Sequence, residues 1–221
     1  MTHSPNSSPW PEPRAFAVDL SQGLMQDTGS RYQKRFRELD GLYADSEAFA
    51  ARTFSEGERV VYEVTDHRPS SLPGDLITGV TRMSPGKVGD EFFMTRGHIH
   101  AIVDRPELYF GLKGRGLMVL ESADGESRIV ELAPNVACYV PPYWIHRSVN
   151  VGDSDFVMLF CYPADSGQDY DIIQRSNGLR KRIVSDDAGG WRSVDNPHYV
   201  PRSSADVEAF MGKVRSMEVA P

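Results

Sequence analysis

Long apolar runs are absent from this sequence, and no stretch nears the ~20 residues that a membrane-crossing helix needs. Blocks of basic residues are absent as well. Twenty-four Lys and Arg against 31 Asp and Glu leave a formal net charge of −7, which argues against general nucleic-acid binding. Only two cysteines occur, Cys138 and Cys161, each inside an apolar run. They are expected as buried free thiols of a reducing compartment rather than as a disulfide. Residues 1–14 are rich in Ser and Pro but lack the basic start and apolar middle of a secretory signal, so the cytoplasm is the expected location. There is no Gly-rich nucleotide loop, no internal repeat and no alternation of strands with long helices. Histidine is scarce too, at six residues, and that scarcity gives each position weight.

What the sequence does contain is a long series of strand signals. At 221 residues and 40% hydrophobic content, the chain fits one soluble domain with extensions. Residues 59–64 and 76–83 are rich in β-branched side chains, which suit a pleated surface. Shorter runs follow at 92–95, 107–113, 117–121, 127–132, 137–140, 145–150 and 156–162, separated by Gly, Pro, Asn and Asp turns. Short strands at such spacing predict a sandwich or barrel. The expected division is a flexible tail at 1–14, an N-terminal extension at 15–57, a barrel domain at 58–200 and a C-terminal tail at 201–221. In the extension, residues 45–52 read as a short helix with an acidic start and an Ala-rich body. Tyr43, Phe49 and Phe54 offer it apolar anchors. Residues 15–40 show no clean period and are expected to wrap the barrel or a partner subunit.

One segment gathers the chemistry. Thr95-Arg96-Gly97-His98-Ile99-His100 places two imidazoles two residues apart, and on a strand both would leave the same face. Arg96 would then point away from the face that Thr95 shares. Glu107 opens the next strand-like run, and Tyr139-Val140-Pro141-Pro142-Tyr143-Trp144-Ile145-His146 supplies a third imidazole. Three of the six His of the chain fall in this pattern, whereas His3 lies in the tail and His198 in an irregular segment. A His-x-His pair alone is a common accident of sequence. Joined by a carboxylate and a third imidazole, it predicts a site for one divalent first-row metal ion, held by His98, His100, Glu107 and His146.

The order Gly-His-x-His, then Glu, a Gly-rich turn, Pro-Pro-x-x-x-His and the Asn150-Val151-Gly152 turn resembles the cupin superfamily. The longer match is narrower. Pro85-Gly86-Lys87-Val88-Gly89-Asp90-Glu91-Phe92-Phe93, the run from Thr95, the run from Tyr139 and Tyr162-Pro163-Ala164-Asp165 resemble the cupin-type phosphoglucose isomerases. This resemblance implies an all-β, antiparallel cupin jelly-roll barrel with a short N-terminal helical extension, working as a homodimer. It implies a metal-dependent isomerase that interconverts glucose 6-phosphate and fructose 6-phosphate in glycolysis or gluconeogenesis. Fe(II) is the expected ion, with Mn(II), Ni(II), Co(II) or Zn(II) as possible substitutes, and a small-molecule sugar phosphate is the expected partner.

The resemblance also carries roles. Tyr62, Thr81, Thr95, Gly97 and Tyr170 fall at positions that hold the phosphate, where hydroxyls and a backbone N–H can bind a dianion without lysine. Glu107 is the candidate base for moving a proton between C2 and C1, with Tyr162 as a second proton-handling group. A metal-assisted hydride shift is left open. Tyr109 and Tyr143 are expected as walls around the sugar, and Tyr139 as a half-buried strand residue. Gln168 stands where the family commonly has His, so it can hydrogen-bond to the sugar but cannot titrate. Two rivals use the same ligands: an Fe(II) dioxygenase, which would want an apolar pocket, and a non-catalytic sugar-phosphate-binding cupin.

Overall fold

The computed structural model describes residues 12–218, so His3 and the first eleven residues lie outside the described chain. Strands β1 (Val18–Asp19) and β2 (Leu24–Met25) form a small ribbon, and β3 (Ser30–Arg35) follows. Helix α1 spans Ser46–Glu56, and the Asp45 side chain caps it by accepting from the Ala48 N–H at 2.8 Å. That is the stabilising role of an acidic N-cap. Tyr43 and Phe49 are buried beside it as anchors, but Phe54 points fully into solvent. Next come β4 (Val60–His67), β5 (Leu76–Met83), β6 (Lys87–Val88), β7 (Glu91–Phe92), β8 (Glu107–Lys113) and β9 (Gly116–Glu121). They are followed by β10 (Ser127–Leu132), β11 (Ala137–Val140), β12 (Ile145–Asn150) and β13 (Phe156–Pro163). Helix α2 (Asp171–Arg175), the hairpin of β14 (Lys181–Ser185) and β15 (Trp191–Asp195), and α3 (Ser204–Glu218) complete the described chain.

The strands assemble into antiparallel sheets of order β11-β8-β13-β5-β4-β3, β10-β9-β12 and β15-β14-β7-β6. Phe36, Phe93, Phe156, Met83, Met118 and Ile145 are fully buried within them. This is the all-β cupin-type barrel with a short N-terminal helix. Strands β9 and β12 are buried at every position, and the C-terminal segment reaches the end of β9. Glu121 at the end of β9 forms an ion pair with the buried Arg202 side chain, N to O at 2.8 Å.

Three local readings change. Residues 92–95 form no strand beyond Phe92. From there the chain runs extended, tied by isolated bridges of Met94 to Val149, His98 to His146 and Ile99 to Asp169. The aperiodic stretch before residue 40 contains β3, which joins the large sheet as its sixth strand by pairing with β4. The stretch read as a C-terminal tail contains α3.

Registers set the floor of the barrel. Tyr32, Val64, Thr81 and Met158 lie side by side across β3, β4, β5 and β13, and Asp66, Gly79, Phe160 and Tyr109 form the next row. Gly79 is required there. A Cβ at that position would come within 2.5 Å of the Phe160 ring and 2.6 Å of Asp66 Cβ.

Candidate metal centre and substrate cavity

His98 and His146 face each other through a reciprocal backbone pair, N–H to carbonyl at 3.0 and 2.9 Å. Ile99 makes a second reciprocal pair with Asp169, which fixes the turn that delivers His100. Glu107 enters as the first residue of β8. The four ligand atoms lie within 4.8 Å of one another, and His100, Glu107 and His146 are buried. Glu107 Oε2 is 3.2 Å from His100 Nε2, 3.0 Å from His146 Nε2 and 3.9 Å from His98 Nε2.

The other ring nitrogens decide what these distances mean. His100 Nδ1 faces the Arg105 carbonyl at 2.7 Å, and His146 Nδ1 faces the Trp144 carbonyl at 3.1 Å. A carbonyl only accepts, so each Nδ1 carries the proton. In the neutral ring the Nε2 lone pair then points at a carboxylate oxygen. Lone pair facing lone pair is repulsive unless a cation sits between them. His98 Nε2 is buried with no hydrogen-bond partner, another donor turned inward with nothing to bind. The donor set therefore fits a divalent ion, with outer carbonyls orienting the imidazoles as is usual around metal-binding histidines. Burial, reinforced by neighbouring His146, holds the His98 imidazole well below its ordinary value, so it stays neutral. Arg105, whose carbonyl receives His100, is itself fixed by Asp165 at 3.0 and 2.7 Å.

Beside the cluster lies a cavity that opens to solvent. Of the residues singled out from sequence, Tyr62, Thr81, Thr95, Gly97, His98, Glu107, Tyr109, Tyr162, Gln168 and Tyr170 all line it. Tyr143 does not line it. It sits in a left-handed turn at φ 71°, with its N–H bonded to the Val103 carbonyl. Tyr139 is 60% exposed rather than half-buried. Thr95 is locked to β12: its N–H donates to the Ser148 carbonyl at 2.9 Å, and its hydroxyl accepts from the Ser148 N–H at 3.1 Å. Gly97 adopts φ 74°, and a Cβ there would lie 2.9 Å from both Arg147 Cβ and the His146 carbonyl. The Tyr170 hydroxyl donates to Gln168 Oε1. Tyr162 accepts from Arg68 at 3.3 Å, and burial pushes its phenol up to about 12 despite that cation. It is a neutral donor at physiological pH.

Several lining residues were not singled out from sequence, namely Tyr32, Asp66, Arg68, Ser148 and Phe160, and Arg96, expected to point away, lines it too. Alternation reaches some of them, since Asp66 follows Tyr62 at spacing four and Ser148 follows His146 at spacing two. Tyr32 carries no periodic signal. Arg96 is misdirected by strand alternation, which does not apply because no strand spans 95–97.

An antiparallel barrel with a three-His, one-Glu cluster that could hold a metal ion and opens on a hydroxyl-lined cavity defines a cupin. The family described as Glucose-6-phosphate isomerase (GPI) matches residues 33–202. The chain is 58% identical over 201 residues to the glucose-6-phosphate isomerase of Sinorhizobium medicae (strain WSM419), covering 91% of this chain and 94% of the relative. It is 42% identical over 188 residues to that of Thermococcus litoralis, covering 85% and 97%. For the enzyme of Pyrococcus furiosus the identity is 40% over 188 residues, covering 85% and 97%. The chain belongs to the glucose-6-phosphate isomerase family and is an isomerase of that type.

Proposed function

We propose that this enzyme is a metal-dependent aldose–ketose isomerase interconverting glucose 6-phosphate and fructose 6-phosphate. The observation that carries the metal dependence is the convergence of His100 and His146 lone pairs and the unpartnered His98 Nε2 on Glu107. When bound, a divalent ion, Fe(II) first and Mn(II), Ni(II), Co(II) or Zn(II) as substitutes, supplies Lewis acidity to the sugar carbonyl and its α-carbon. His98, His100, Glu107 and His146 hold it.

The remaining chemistry belongs to side chains. Tyr62, Thr81, Thr95 and the Gly97 N–H hold the phosphate, with Tyr170 joining them when its hydroxyl turns from Gln168, and so fix where C1 and C2 lie. The imidazole contacts of Glu107 all fall on Oε2, which leaves Oε1 to take the proton from C2 of the opened aldose and return it to C1. Tyr162, receiving the Arg68 N–H, has its own proton free to donate to a sugar oxygen. Tyr109 bounds the sugar, and Gln168 orders Tyr170 by hydrogen bonding. The phenols and threonines suit a polyol phosphate and not the apolar substrate pocket of a dioxygenase.

Two further assignments go with this reading. The enzyme works as a homodimer, supported by Leu108 and Tyr139, register partners on β8 and β11 that remain exposed. A monomer by light scattering at assay concentration would refute that. Free thiols at Cys138 and Cys161 fit the reducing cytoplasm, the compartment we assign.

The test is turnover of glucose 6-phosphate before chelation, after it, and after refilling with each ion in turn. Loss and recovery are expected. Full turnover by protein shown to be metal-free would overturn the metal dependence, and metal binding without turnover would favour the non-catalytic reading.

A further inference from the structure

Three arginines line the substrate cavity or the larger cleft that adjoins it: Arg68, Arg96 and Arg182. Two of them are already neutralised. Arg68 donates to Asp66 at 2.6 Å, and Arg182 donates to both oxygens of Glu91 at 2.7 and 2.9 Å. Arg96 is different. Among the described residues no carboxylate ion-pairs with its guanidinium, which lies 5.1 Å over the Tyr170 ring. That ring is in turn fixed through its hydroxyl by Gln168.

The backbone holds this cation in place. The Arg96 carbonyl accepts from the buried Arg147 at 2.8 Å. On one side Thr95 is bonded to Ser148, and on the other Gly97 turns through a positive φ that leaves no room for a Cβ. Arg96, Gly97 and Tyr170 are common to the cavity and the cleft, so these three residues form a wall shared by both, with the guanidinium over the Tyr170 ring. Glu38 and Asp40 line the cleft side, and the chain as a whole carries −7. A dianion approaching this protein meets a repulsive field, and a local unpaired cation decides whether it enters.

We propose that Arg96 is a specificity-determining residue that reads the charge of the substrate phosphate from this shared wall. The inference rests on the reading that the Thr95–Gly97 turn is the phosphate end of the cavity. A planar guanidinium can bridge two phosphate oxygens while resting on an aromatic face, which an ammonium cannot match.

The experiment uses the full-length, metal-loaded enzyme and two probes that differ only in phosphate, 6-phosphogluconate and gluconate, as competitive inhibitors. Arg96→Gln is expected to weaken 6-phosphogluconate by about ten- to a hundred-fold, the scale of a lost bond to a charged group. Gluconate inhibition and bound metal should stay at the parent level. Arg96→Lys should recover part of the loss, and the ionic-strength dependence of 6-phosphogluconate binding should be shallower in Arg96→Gln than in the parent. Arg192→Gln, an exposed residue of β15, carries the same charge change and should leave both inhibitors unchanged. Equal weakening of both probes, or of neither, by Arg96→Gln overturns the proposal. Thr95→Val separates the two levels. If Thr95→Val is phosphate-selective and Arg96→Gln is not, the Arg96 inference alone falls. If neither is selective, the assignment of the phosphate end falls with it.

Discussion

The two ends of the active cavity are built differently. At the ligand end, three imidazoles and a carboxylate are packed together, His100, Glu107 and His146 are almost inaccessible, and each group is oriented by backbone carbonyls or neighbouring rings. At the other end, Thr95, Arg96, Gln168 and Tyr170 lie in irregular chain outside the strands and reach solvent, while Gly97 among them is buried. The first end is costly to leave incomplete, since buried donors without a partner destabilise the fold. At the second, Ser148 and Arg147 fix the backbone of Thr95 and Arg96, and only the solvent-reaching side chains of Arg96, Gln168 and Tyr170 can exchange partners with water. In the reading proposed above, chemistry goes to the buried end and recognition to the solvent-reaching one.

That contrast can be broken by substitution. His146→Ala should have the largest effect, lowering metal affinity by more than the 10–100-fold typical of losing an outer-shell partner, with activity lost in parallel. His198→Ala should retain metal and activity, and elemental analysis with turnover checks both. Thr95→Val keeps shape and removes the hydroxyl. It should cost roughly 1.5–3 kcal/mol of sugar-phosphate binding while metal content stays unchanged, as read by paired inhibition with and without phosphate on the same sugar acid. Gly97→Ala forces a Cβ into Arg147 and the His146 carbonyl at a left-handed position, and should lose on the order of 1–3 kcal/mol of stability, visible in chemical denaturation. Tyr143→Phe should be smallest, within ~0.5 kcal/mol for any property, because its ring stands outside the cavity. A Tyr143→Phe effect as large as that of Thr95→Val would mean that the recognition end extends further than the cavity described.

The ligand end was legible in sequence because its signal is residue type. His98, His100, Glu107 and His146 are rare, chemically matched and close together in the chain. The strands were legible for a similar reason: residues 76–83, 107–113, 127–132, 137–140 and 145–150 coincide with β5, β8, β10, β11 and β12. The recognition end depends instead on how the backbone turns. Arg96 was assigned the wrong side because alternation holds only inside a strand, and Gly97 ends any such regularity at φ 74°. Tyr32 was invisible because β3 is a charged edge strand, Ser-Arg-Tyr-Gln-Lys-Arg, whose pairing with β4 is decided by tertiary contact and not by its own pattern. Asp66 was missed although it shares a face with Tyr62, since a lone carboxylate in a strand carries no motif.

Glu107 belongs to the six-stranded sheet and His146 to the three-stranded one, so an ion shared by both would clasp the two layers of the barrel at one end. Binding to the folded chain alone then feeds directly into the folding equilibrium. At free metal one hundred times its dissociation constant the native state gains about 2.7 kcal/mol. For a chain of this length that corresponds to a rise in melting temperature of roughly 5–10 °C. Heat inactivation and loss of the ion should therefore be one cooperative event, and the midpoint of that event should move with the metal concentration of the buffer.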